Sequence, residues 1–298
     1  MPYRWIPGSL LAVALIAPPA QAQAPSSDYR AEVEAWRQRR EQRLRADDGW
    51  LAVVGLFWLR QGQNTVGSAP DSAVLLPAPV PADAGTITLA DGHATLVVTP
   101  GTEARVDGRP VTRLVLVPDT VPGHKEVQLG SVSLNLIDRQ GKLGIRVKDM
   151  NSPRRKSFPG LQWYPIDEAA RVQAHWVSYP TPKPIPITNV LGQVDDLSSP
   201  GYATFTWDGQ EVTLHPVLDA PDSRTLFFIF RDKTSGKTTY GGGRFLYSSL
   251  PKAGTLELDF NKAYSPPCAF TDFATCPLPP PQNRLSVAIE AGEKAPAH

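Results

Sequence analysis

Six prolines crowd between Pro266 and Pro281, inside a segment, Leu256–Glu293, that also holds both cysteines of the chain. Proline fixes φ and removes a backbone donor, so this stretch is stiff without being able to form a regular sheet or helix. The same segment carries Asp259, Asn261, Tyr264, Asn283, Arg284, Glu290 and Glu293. A stiff irregular segment rich in acids, amides and arginine is a candidate wall of a binding site. The rest of the chain must therefore supply the regular structure against which this segment closes. With 31 prolines and 23 glycines among 298 residues, that structure is expected to be many short strands.

The first 24 residues read as a leader. Arg4 precedes an apolar run from Leu10 to Ala17, and small residues follow at Ala20, Ala22 and Ala24. This is the three-part layout of a secretory signal peptide, assigned to residues 1–22, with cleavage after Ala22 or Ala24. The run is too short to span a bilayer, so no stable membrane insertion is expected after cleavage. The mature chain is expected to be periplasmic or secreted. Its charges nearly cancel, at 30 Lys and Arg against 29 Asp and Glu in the whole sequence, which gives no electrostatic case for a nucleic-acid partner.

A helix is expected within residues 23–49, capped by Ser27 or Asp28 and running to about Arg45. Acids at Glu32 and Glu34 precede Arg37, Arg39, Arg40, Arg43 and Arg45, as the helix dipole favours. Tyr29, Val33, Trp36 and Leu44 fall roughly on one face and require an apolar partner, and the arginines read as the solvated face. Residues 50–150 read as a β-sandwich: short runs such as TITL, ATLVV, RLVLV and LGIRV alternate with turns at Asp91-Gly92 and Asp107-Gly108. Residues 151–170, with Arg154, Arg155 and Lys156, read as a linker. From residue 171 to the end, hairpins are expected at Asp208-Gly209 and at Ser235-Gly236. They imply a second antiparallel unit, a curled sheet or small barrel. Gly241, Gly242 and Gly243 within that pattern imply a bulge or a close backbone approach. The expected fold class is all-β, with one amino-terminal helix and a Pro-rich closing segment.

Two resemblances bear on this reading. GQNTVGSAPDSAVLLP, ADAGTITL and VDGRPV are laid out like parts of a forkhead-associated sandwich. Ser68 stands where that family has an arginine, and Ala84 and Gly85 occupy the region of its Ser and His, so phosphothreonine reading is not implied. FRDKTSGKTTYGGGRFL, LDFNKAYSPPCAF, ATCPLPPPQNRL and IEAGE resemble the carboxy-terminal signature of a bacterial family known as domain of unknown function (DUF) 1684. That resemblance extends back through YRAEVEAWRQRR and GWLAVVGLFWL and implies no assigned activity.

The residues allow several chemistries. An oxidising compartment favours a disulfide between Cys268 and Cys276. C-x7-C is not a common zinc spacing, and His93, His124 and His175 are scattered, so no metal is expected. Walker, G-x-G-x-x-G, G-x-S-x-G and H-E-x-x-H motifs are absent, so no cofactor is expected. Arg244 and Arg284 offer planar forks for a carboxylate or phosphate. With Tyr240, Asn261, Tyr264 and Asn283 they form the expected set for a small polar or anionic ligand, a periplasmic protein partner being the other expected occupant. Asp259 with Glu290, or His215 as a base, would serve a hydrolase acting on an exported glycan or ester. A third reading makes the block architectural, with Arg244 and Arg284 paired to Asp259 or Glu290.

Overall fold

The computed structural model describes residues 26–297, so the expected leader lies outside the described residues. The helix α1 spans Ser27–Arg45. Its cap is Ser26, one residue before the expected position, whose side chain accepts the Tyr29 N–H at 3.3 Å. Tyr29, Val33 and Leu44 are buried along it, as the spacing of its apolar residues requires.

Eleven strands follow before the chain midpoint: β1 (Val53–Trp58), β2 (Gly62–Gly67), β3 (Val74–Leu75), β4 (Gly85–Ala90), β5 (His93–Val98), β6 (Arg105–Val106), β7 (Arg109–Pro110), β8 (Arg113–Leu116), β9 (Val127–Leu129), β10 (Val132–Arg139) and β11 (Lys142–Asp149). They form two sheets, in the orders β1-β11-β10-β9-β6-β7 and β3-β2-β4-β5-β8. Alternate residues from both, such as Ile87 and Leu96 from one and Leu134, Leu136, Ile145 and Val147 from the other, build a single apolar core. Asp91 and Gly92 both adopt positive φ (49° and 75°), as do Asp107 and Gly108 (50° and 76°), the geometry that matches a tight turn to strand twist.

The second half holds β12 (Arg171–Thr188), β13 (Val194–Trp207), β14 (Gln210–Leu214), β15 (Thr225–Phe230), β16 (Arg244–Ser249) and β17 (Thr255–Asp259). A curled four-stranded sheet, β14-β13-β12-β17, and the separate hairpin β15-β16 share a second core containing Phe205, Leu214, Phe228, Phe230, Leu258 and Phe260. Asp208-Gly209 turns β13 into β14 with the expected positive φ values (48° and 74°). The molecule is all-β apart from α1 and short helical turns.

Ser235-Gly236 does not form the expected tight hairpin. β15 pairs with β16 in register from Thr225↔Ser249 to Phe230↔Arg244, and residues 231–243 form the connecting loop. The Asp232 carboxylate organises that loop by accepting the hydroxyls of Thr234 at 2.7 Å and Ser235 at 3.1 Å, a local alternative to strand pairing. Gly243 precedes β16 at φ +98°, and a Cβ there would lie 2.6 Å from the Phe230 carbonyl oxygen and from the Pro279 ring. Gly243→Ala is therefore expected to destabilise the protein by about 1–3 kcal/mol, read as a lower urea midpoint at unchanged slope.

Residues 151–170 are not a free linker. They contain α2 (Pro153–Ser157), and Trp163 bridges to Glu293 while the Tyr164 N–H donates to the Gly292 carbonyl at 3.0 Å. The carboxy-terminal segment thus holds this stretch and, through Arg40 of α1, the amino-terminal helix as well: Arg40 Nη2 donates to the Ser265 carbonyl at 2.9 Å.

Candidate functional site

A cleft of about 700 Å³ lies between α1 and the second β unit. One helix face supplies Trp36, Arg39, Arg40 and Arg43, positions three to four residues apart that one side of a helix presents together. The turn after the helix adds Trp50 and one acid, Asp48, the β15-β16 hairpin adds Phe227, Phe245 and Tyr247, and the Pro-rich segment adds Lys262, Tyr264 and Pro267. The aromatic side chains hold one another: Phe227 stacks on Tyr247 at 4.7 Å, Phe227 meets Phe245 edge-on at 4.9 Å, and Trp36 lies 6.1 Å from Tyr264.

The cations divide into two kinds. Arg40 lies over the Tyr264 ring at 4.7 Å and pairs with the fully buried Glu293 at 3.3 Å. Lys262 is paired to Glu32 at 2.6 Å and to Asp259 at 3.1 Å. Arg39 and Arg43, one helical turn apart and exposed, form no ion pair among the described residues. Like charges at that spacing repel, which an anion between them would relieve. Burial raises the Tyr264 phenol to about 12 despite the neighbouring Arg40 guanidinium, and burial also raises Tyr247, whose hydroxyl donates to Asp219 at 3.0 Å. Burial raises the Glu293 carboxyl as well, with Arg40 opposing it.

Of the residues expected to hold a ligand, Tyr264 lines the cleft and three are committed to the fold. Arg244 is completely buried. It donates to Asp232 at 3.2 Å, to the Ile289 carbonyl at 2.8 Å and to the Ala291 carbonyl, so neither Asp259 nor Glu290 is its partner. Asn261 donates to the Asp167 carbonyl at 2.7 Å and to the Tyr29 hydroxyl at 2.9 Å, and accepts the Asp167 N–H at 3.0 Å. Asn283 accepts the His215 N–H at 2.9 Å and donates to the carbonyls of His215 at 2.8 Å and Ile229 at 3.0 Å, replacing a strand's ladder bonds. Such fully satisfied buried amides have no donor left for a ligand. The Tyr240 hydroxyl donates to the Cys268 carbonyl at 3.2 Å, and Arg284 is exposed, its backbone bridging to Arg231.

The hydrolase candidates are dispersed in role. Asp259 is buried and accepts the Tyr29 hydroxyl at 2.8 Å, whereas Glu290 is exposed and forms no ion pair among the described residues. His215 Nδ1 lies 3.0 Å from the Tyr179 hydroxyl, and burial, then Lys183, lowers its pKa below the ordinary value. Cys268 and Cys276 are joined in a disulfide. Among the described residues no three His, Cys, Asp or Glu side chains group as a metal set, and no helix is long and apolar enough to cross a membrane.

The solvated-face reading holds for Arg39 and Arg43, which are exposed, but not for Arg37, Arg40 and Arg45, which are half-buried, and Trp50, Phe227, Phe245 and Tyr247 were not among the expected residues. The available signal was the arginine pair one turn apart beside Trp36.

Comparison with known proteins adds family likeness and no activity. Residues 156–294 match the family model described as "Protein of unknown function (DUF1684)", leaving α1 and the WLAVVGLFWL run outside the match. No curated protein matches the chain. An uncharacterized protein of Haloarcula marismortui, solved by NMR, is 36% identical over 47% of this chain and 79% of its own, at a TM-score of 0.41. The FHA domain of FhaA, solved in complex with the intracellular domain of Rv3910, is 20% identical over 31% of this chain and 97% of its own, at a TM-score of 0.22. A domain from a study of phosphothreonine-dependent FHA interactions is 21% identical over 31% of this chain and 92% of its own, also at 0.22.

Proposed function

We infer, for a chain whose residues 156–294 belong to the DUF1684 family of unknown function, that the cleft between α1 and the second β unit binds a small anion carrying an apolar or aromatic group. The observation that carries this reading is the pair Arg39 and Arg43, which form no ion pair among the described residues, above a wall of aromatic rings. Guanidiniums take carboxylate or phosphate oxygens in planar pairs, and the rings accept the apolar remainder. The ligand is met outside the cytoplasm: the leader-like first 24 residues and the Cys268–Cys276 disulfide support export. The carboxylate-pair hydrolase draws no support from the geometry, because Asp259 is occupied by Tyr29 and Lys262.

Trp36 and Trp50 line the cleft, so tryptophan emission reports on its occupancy. Octanoate and phenyl phosphate are expected to change that emission saturably. The double variant Arg39→Ala/Arg43→Ala is expected to weaken binding about tenfold or more, on the order of 1.4 kcal/mol. Equal binding by wild type and double variant, or no response to either amphiphile, would overturn the reading.

A further inference from the structure

Arg146 on β11 is only 6% exposed, and so is Asn135, directly opposite it on β10. Their side chains lie on the outer face of the sheet, since the neighbours Leu134, Leu136, Ile145 and Val147 point into the sandwich core. The Trp50 ring lies 5.0 Å from the Arg146 guanidinium, and Arg139 on the same sheet reaches Thr275 of the disulfide loop at 2.9 Å.

The guanidinium is left without a counter-charge. Arg146 Nε and Nη2 have no hydrogen-bond partner, and neither does Asn135 Oδ1. The two acids closest in influence are already taken, Asp119 by Arg139 at 2.8 Å and Glu126 by Lys148 at 2.5 Å. Burial, with the Arg139 charge adding to it, lowers the Arg146 pKa to about 10. A desolvated, unpaired guanidinium is among the costlier groups a fold can hold, and Nε with Nη2 is the edge that grips two oxygens side by side.

We propose that Arg146 and Asn135 form a binding site for a small oxyanion, a carboxylate or phosphate, on the outer face of this sheet beside Trp50. Two anion oxygens accept from Arg146 Nε and Nη2, and the Asn135 side chain, turned to present its amide hydrogens, donates to one of them. This site is separate from Arg39 and Arg43 and does not rest on the cleft reading.

The test is thermal unfolding of the full chain in sodium chloride, sodium acetate and sodium phosphate at one ionic strength. Wild type is expected to melt about 5 °C higher in acetate, phosphate or both than in chloride, and which of the two acts identifies the oxyanion. Arg39→Ala/Arg43→Ala should keep that shift and Arg146→Met should lose it. Asn135→Asp, which supplies a carboxylate from the facing strand, should melt higher than wild type in chloride and respond to neither anion. It decides the matter even where Arg146→Met does not fold. No shift in wild type, a shift lost with Arg39 and Arg43, or an Asn135→Asp protein that melts lower than wild type in chloride would each overturn the proposal.

Discussion

Arg244→Ala is expected to lower the unfolding free energy by about 3–5 kcal/mol, enough to unfold a protein of ordinary stability. The side chain is completely enclosed, and its removal leaves the Asp232 carboxylate buried without its cation. It also strands the carbonyls of Ile289 and Ala291, which Arg244 holds together at the start of β16. Asp232 would keep the Ile289 N–H at 2.6 Å and the Thr234 hydroxyl, which stabilise its charge only in part. Removing both charges, as Arg244→Met/Asp232→Leu, should cost less than Arg244→Ala alone, because neither charge then remains buried and unpaired. Equilibrium urea unfolding of the three proteins measures this. An Arg244→Ala midpoint equal to that of wild type would mean the pair contributes nothing.

Reduction of the Cys268–Cys276 disulfide, or Cys268→Ser/Cys276→Ser, is expected to cost about 2.5 kcal/mol from the entropy of the short loop it closes. The loop is also a meeting point. The Cys276 carbonyl accepts the Val190 N–H at 3.0 Å, the Leu278 N–H donates to Thr188 at 2.8 Å, Thr275 receives Arg139, and Phe270 packs with Leu44 of α1. Loosening it should therefore disturb the β12-β13 hairpin, the sandwich and the helix together. Hydrogen exchange of the reduced protein is expected to rise at residues 188–193 and along α1 as well as in the loop. An effect confined to residues 268–276 would show that these contacts hold without the cross-link.

The parts of this fold that were legible in the sequence are those whose physics is local. Asp91-Gly92, Asp107-Gly108 and Asp208-Gly209 announce their turns because Asp-Gly suits two successive positive φ values. The helix was legible from its charge order and the spacing of Tyr29, Val33 and Leu44. The loop 231–243 was not, because Ser235-Gly236 looks like a turn and the deciding group, the Asp232 carboxylate, acts through Thr234 and Ser235 side chains. Arg244 looked like a ligand fork because an arginine's partners are invisible in sequence. Its carbonyl acceptors lie some 45 residues on, beyond any local pattern. The cleft joins residue 39 to residue 264, so no stretch of the chain contains it. Arg146 sits in the run LGIRV, where alternation predicts an outward side chain. The side chain does point outward from its sheet, yet it is buried there, with the Trp50 ring beside it.

A helix made early is completed by residues made late. The Tyr29 hydroxyl ends on Asp259, the Arg40 guanidinium on Ser265 and Glu293, and the Lys262 ammonium on Glu32. A ribosome therefore produces the amino-terminal arm long before anything exists to receive it, and Trp36 and Leu44 wait uncovered through most of synthesis. The sandwich, whose core draws on residues 54–147, can condense during that interval. The cleft can close only after Glu293 has emerged, which makes the segment 259–293 the condition for binding in that cleft.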